Sequence, residues 1–117
     1  MRRNRYRLCN QTVTVYHREG AGSITRTVLH RAFLDFQKNL NVARTGAKES
    51  NGFLLVVPGP TVPVAVGDKV MLGEGPECAD DAAWRELVPS KVPNLVVVGH
   101  VDPKWYRGEL VHTEAGG

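Results

Sequence analysis

A chain of 117 residues with a net charge of +3, 42% hydrophobic and 23% charged, has the length of one domain and the composition of an ordinary globular one. That excludes a disordered chain. The longest apolar runs, residues 53–57 and 95–98, fall far short of the roughly 20 residues that carry a helix across a bilayer. Two cysteines, Cys9 and Cys78, form no spacing pattern, so the expectation is free thiols in a reducing compartment and not a disulfide scaffold. The opening Met1-Arg-Arg-Asn-Arg-Tyr-Arg7 is similar to a signal n-region, but Asn10, Gln11, Thr12 and Thr14 stand where an apolar h-region is required, so no export signal is expected.

The charge is unevenly distributed. Residues 1–50 hold ten Lys/Arg against three Asp/Glu, a net of +7, and residues 51–117 hold five against nine, a net of −4. Arg2, Arg3, Arg5 and Arg7 make the first ten residues a basic arm on a single domain spanning 1–117. Such a split fits a nucleic-acid-facing arm, a head-to-tail match between identical subunits, or simply a solvated terminus.

In chain order, residues 12–17 alternate, with Val13 and Val15 on one face, and read as a strand. Glu19-Gly-Ala-Gly-Ser23 is a turn. Residues 24–36 form a long strand whose apolar phase changes midway, which requires a bulge or bend. Residues 37–52 are polar and without periodicity, and read as a long loop, of the kind that is usually functional or disordered. Residues 53–57 read as a buried strand. Val62, Val64 and Val66 alternate, but Pro63 demotes them to an edge. Residues 69–72 form a further strand. One helix is expected at about 80–88, capped by Asp80 or Asp81 and stopped by Pro89. Residues 95–101 and 109–113 complete the strands, separated by a turn over 102–108, and the tail 115–117 has nothing to pack with. The fold class is therefore all-β: a small, mainly antiparallel barrel or sandwich of six to seven strands. Its expected core is Val13, Val15, Phe53, Leu55, Val57, Val70, Leu72, Leu95 and Val97, with Trp84 capping one opening.

Chemistry-bearing patterns are weak. His17, His30, His100 and His112 fall on four different predicted strands, with no His-x-His or Cys-x-x-Cys pair to indicate a metal site, and none is expected. Ser23, Ser50 and Ser90 lack a nucleophile elbow, a set such as Cys9, His17 and Asp35 can be written down for almost any sequence, and no catalytic residue is assigned. Gly73-Glu-Gly-Pro-Glu-Cys78 lacks the third glycine and the βαβ setting of a dinucleotide loop, so no cofactor is expected. Glu74, Glu77, Asp80 and Asp81 do not match a calcium loop, and acids favour a helix N-terminus in any case. The basic arm, together with Arg44 and Lys48 of the long loop, is suited to phosphate contact without sequence reading.

The order of four segments resembles small minor capsid proteins of tailed phages and prophages. These are Tyr16-His-Arg-Glu-Gly20 followed by Ile24-Thr-Arg-Thr-Val-Leu29, then Gly52-Phe-Leu-Leu-Val-Val-Pro58, then Val66-Gly-Asp-Lys-Val70 with Gly73, and the closing stretch 108–117 with His112. The arm and Trp105-Tyr106 have no counterpart in that pattern. The resemblance implies a non-enzymatic head–tail connector of the head-closure (stopper) type at the portal–tail junction. Such a protein is assembled in the bacterial cytoplasm into the virion, forms rings, and meets portal, adaptor or tail proteins as partners. A stopper closes the DNA channel with a long loop, and 37–52 is the segment of that length; Arg44 and Lys48 are its candidates for facing DNA, a plain surface loop being the alternative. A tail-completion or tail-terminator protein, or a small β-barrel that binds a ligand or nucleic acid, are the alternatives.

Overall fold

A computed structural model describes residues 7–20, 22–41 and 48–117, with the side chains of 37–51 outside that description. Among the described residues there are seven strands and one helix: β1 (Gln11–Arg18), β2 (Ile24–Asn41), β3 (Lys48–Pro58), β4 (Lys69–Leu72), α1 (Asp81–Glu86), β5 (Leu95–Val97), β6 (His100–Tyr106) and β7 (Glu109–Gly116). The strands lie in one antiparallel sheet in the order β5-β4-β1-β2-β3-β7-β6.

The first part of β2 pairs with β1 and its second part, from Phe33 on, with β3. Between them Gln11 is opposite Ala32 while Val13 is opposite Leu29, so two steps along β1 match three along β2. The extra residue is the bulge that the change of apolar phase demands. There the sheet folds over, and its two halves enclose one core. Val13, Val15, Val70, Val96 and Val98 come from one half, and Leu34, Phe53, Leu55, Val57 and Ala115 from the other. The sheet is not closed into a barrel. β5 and β6 remain its edges, which makes the molecule an open, sandwich-like sheet.

Several expectations change in the structure. Residues 37–52 are for the most part not a loop: β2 and β3 stay paired from Gln37–Gly52 out to Asn41–Lys48. Residues 62–66 form no strand, although Val64 is buried in the core. The apolar run after Leu95 breaks at 98–99, and Val96 and Val98 face the core while Val97 is 40% exposed. Leu72, expected in the core, is only partly buried against it. Residues 102–106 belong to β6, not to a turn. The reversal is Arg107-Gly108, both with positive φ (53° and 79°), as a two-residue hairpin requires. Pro103 is tolerated because β6 is an edge. The tail is also packed: Ala115 is buried, and Gly116 pairs with Leu54 and His100. A Cβ at Gly116 would meet the His100 ring and the carbonyl of Phe53 at 3.1 Å.

Helix α1 is six residues long, capped by Asp80, whose carboxylate accepts from the Ala83 amide at 2.8 Å. It caps no barrel opening. Residues 73–94 cover the outer face of the β1 half instead, where Tyr16, Cys78, Leu87 and Leu95 form a second cluster with Trp84, Met71 and Val92 against it. Thr14 and Tyr16 bind this cover. The Thr14 hydroxyl donates to the Gly73 carbonyl and accepts from the Gly75 amide, both at 2.8 Å, and the Tyr16 hydroxyl donates to the Pro76 carbonyl at 2.7 Å. Lys69 lies beneath, donating to the Trp84 carbonyl at 2.7 Å with its ammonium 4.3 Å from that ring. Burial pulls the Lys69 ammonium below its usual range. Among the described residues, no helix is long and apolar enough to cross a membrane.

Candidate functional site

The inner stripe of β1 runs Val13, Val15, His17, and the facing residues of β2 are Leu29, Thr27 and Thr25. The stripe thus turns from apolar to polar at one end of the folded sheet. There it is covered by residues 62–65, not by a strand. The space between is a cavity of about 300 Å³ lined by Val15, His17, Thr25, Thr27, Val62, Pro63, Val64, Ala65 and Asp68.

Asp68 fixes this region. Its side chain is buried, with Oδ1 2.5 Å from His17 Nδ1 and Oδ2 accepting from the Ala65 amide at 2.8 Å. Its backbone carbonyl accepts from Val98, and the neighbouring Gly67 amide donates to the Val98 carbonyl. One residue therefore ties β1, the covering segment and the corner after β5 together. The other ring nitrogen of His17, Nε2, lies 3.5 Å from Glu19 Oε1. The hydrogen bond to Asp68, followed in size by opposing partial burial and then by Asp68 and Glu19 charges, holds the His17 imidazole above its ordinary range. The arrangement is a hydrogen-bonded latch with an apolar wall beside it and two carboxylates at its polar end.

The residues singled out from the sequence lie elsewhere. Arg2, Arg3, Arg5 and Arg44 are outside the described residues, as is the Lys48 side chain, although the Lys48 backbone starts β3. Arg7 is exposed. Cys9 lies before β1, with Sγ 4.0 Å from the Val56 carbonyl oxygen, whereas His17 is near the far end of that strand. Cys9, His17 and Asp35 thus form no triad, and the carboxylates that meet His17 are Asp68 and Glu19. The four histidines do fall on four strands, β1, β2, β6 and β7, and no group of three potential ligands exists among the described residues. In the acidic cluster, Asp80 caps α1, Asp81 pairs with Arg18 at 2.9 Å and accepts from the Gly22 amide, and Glu77 is 4.0 Å from Arg26.

Asp68 was legible in the sequence only as part of a Gly-Asp turn. Its partner is 51 residues away, and no local spacing connects the two. Comparison of the chain with family models, with characterised proteins and with solved structures gives no match.

Proposed function

We propose that this chain is a non-enzymatic structural subunit of a tailed-phage or prophage head–tail junction, of the head-closure or connector type, that works as a member of a ring. One observation carries the reading beyond the resemblance. β3 pairs with β7 only as far as Leu54–Gly116, and β2 pairs with β1 only up to Ala32. From Gln37–Gly52 to Asn41–Lys48 the two strands pair with each other and, among the described residues, with no further strand. Five residue pairs at roughly 3.4 Å per residue make an arm about 17 Å long beyond the sheet. A two-stranded ribbon is marginal on its own in water. Surfaces outside the subunit, a neighbouring copy or a portal or tail protein, are what stabilise it in this reading.

The arm replaces the long loop as the element that reaches toward the ring axis. Lys48 begins β3, and Arg44 lies between the two strands in the sequence; in this reading a ring of copies would bring these cations to packaged DNA. The opposite net charges of the two halves of the sequence, +7 and −4, favour contacts between unlike faces of successive subunits. The His17–Asp68 pair has a mechanical part in this reading. Both ring nitrogens are engaged by carboxylates of the same chain, which fastens the segment 62–68 to β1.

Negative-stain microscopy of the purified protein, alone and mixed with its portal-side partner, tests the reading. Closed rings with a central opening are expected in at least the mixture. Monomers under both conditions would contradict it.

A further inference from the structure

The tip of the β6–β7 hairpin presents Trp105, Tyr106 and Arg107 on one tight turn. Trp105 is 64% exposed and Tyr106 43%. Just before the tip the register shifts, Lys104 standing opposite His112 and Trp105 opposite Leu110, so Val111 of β7 is an extra residue and the hairpin is more strongly twisted there. The Arg107 guanidinium lies 5.4 Å from the Tyr106 ring centroid. Single exposed apolar residues are ordinary on a protein surface. Trp, Tyr and Arg are the types that dominate binding hot spots, and the two aromatics lose little conformational freedom when they dock.

The cavity at His17 has complementary chemistry. Val15, Val62, Pro63 and Val64 give it an apolar wall, and among the described residues no Lys or Arg lines it. At the polar end two carboxylates, buried Asp68 and the 74%-exposed Glu19, flank a single imidazole, so the local charge favours a cation. About 300 Å³ is at the small end of ligand pockets, which suits one or two side chains better than a cofactor.

We propose that the hairpin tip of one copy docks in the His17 cavity of a second copy, with Trp105 against Val62, Pro63 and Val64 and Arg107 toward Glu19 and Asp68. Tip and cavity are different surfaces, so the contact is heterologous and, repeated, builds rings or filaments and not closed pairs. The proposal rests on the ring-forming reading and names its subunit contact.

The experiment is a dilution series of isotope-labelled protein from about 10 μM to about 1 mM, the range where a weak contact is populated. The Trp105 indole N–H and the backbone signals of His17, Thr25 and Thr27 should shift together with concentration. Trp105→Ala and Val62→Asp, both at exposed positions, should keep the folded spectrum and each weaken association about tenfold or more. Mixed in equal amounts, they retain one intact tip and one intact cavity, and should form pairs that grow no further. Arg107→Glu should weaken the contact, and Glu19→Arg on the second chain should restore it. Wild-type signals unmoved up to the highest concentration would overturn the proposal. So would association that survives both single variants. In that case self-assembly through another surface stands and only this contact falls, whereas the ring reading itself fails on the microscopy of the portal-side mixture.

Discussion

His17 Nδ1 and Asp68 Oδ1 stand 2.5 Å apart although 51 residues separate them, and through this contact the segment that carries Val64 into the core is held on β1. The contact has a pH signature. Hydrogen bonding to Asp68 raises the folded-state value of His17 above that of an unfolded histidine, about 6.5. A group raised on folding binds its proton more tightly in the native state. Its contribution is therefore complete below the unfolded value and is lost as pH rises through the folded one. Titration of the His17 ring by NMR should give a midpoint above the ordinary histidine range. Asp68→Asn, which keeps an acceptor for the Ala65 amide, should lower that midpoint and flatten the stability profile in the same window.

Gly75 is the tightest point of the cover over β1. A Cβ there would run into the Tyr16 hydroxyl and lie 3.0 Å from the Met71 sulfur. The carbonyl of Gly75 also accepts from both Nε and a terminal nitrogen of Arg26. Gly75→Ala must displace Tyr16 or the segment itself, and overpacking of this kind costs about 1–3 kcal/mol. Urea unfolding should show a lower midpoint with an unchanged slope.

The Thr113 hydroxyl is buried with no hydrogen-bond partner among the described residues. An unmade buried hydrogen bond costs about 1–3 kcal/mol, while a methyl in the same place costs nothing in polar desolvation. Thr113→Val should therefore stabilise the protein by about 1 kcal/mol. A calorimetric midpoint lower than that of the wild type would show that the hydroxyl is satisfied.

Cys9 and Cys78 are both buried and unpaired, and burial pushes each thiol up, Arg31 opposing this for Cys9 and Lys69 for Cys78. Thiolate is the reactive form. A maleimide or disulfide reagent should modify neither cysteine in the native protein at neutral pH on the timescale on which both react in urea. Rapid modification of Cys78 without denaturant would mean that the cover of residues 73–94 opens readily.

The sequence conveyed the parts of the fold that burial writes into it. The alternation of Val13 with Val15 and of Phe53, Leu55 and Val57 located β1 and β3. The phase change after Leu29 announced the bulge, and Asp80 and Pro89 bounded α1 to within two residues. What was hidden follows from the same cause. The run from Leu95 is apolar at every position, so it carries no phase, and Val96 and Val98 took the inner places given to Leu95 and Val97. The pairing of 37–41 with 48–52 extends a register set by Phe36 and Phe53, and the polar composition there gave no sign of it. Ala115 and Gly116 read as an idle tail, since small residues pack only where a neighbour's position is known. Asp68 joined the site through an edge-crossing segment that no periodicity describes.

The arm is the element on which the proposed structural role turns. Replacing residues 37–52 by an Asn-Gly turn between Phe36 and Phe53 keeps that strand pair in register and removes the ribbon. The shortened chain should fold with the stability of the wild type, and microscopy of it with the portal-side partner should show no closed rings where the full chain forms them. Rings of normal size from the shortened chain would contradict the account.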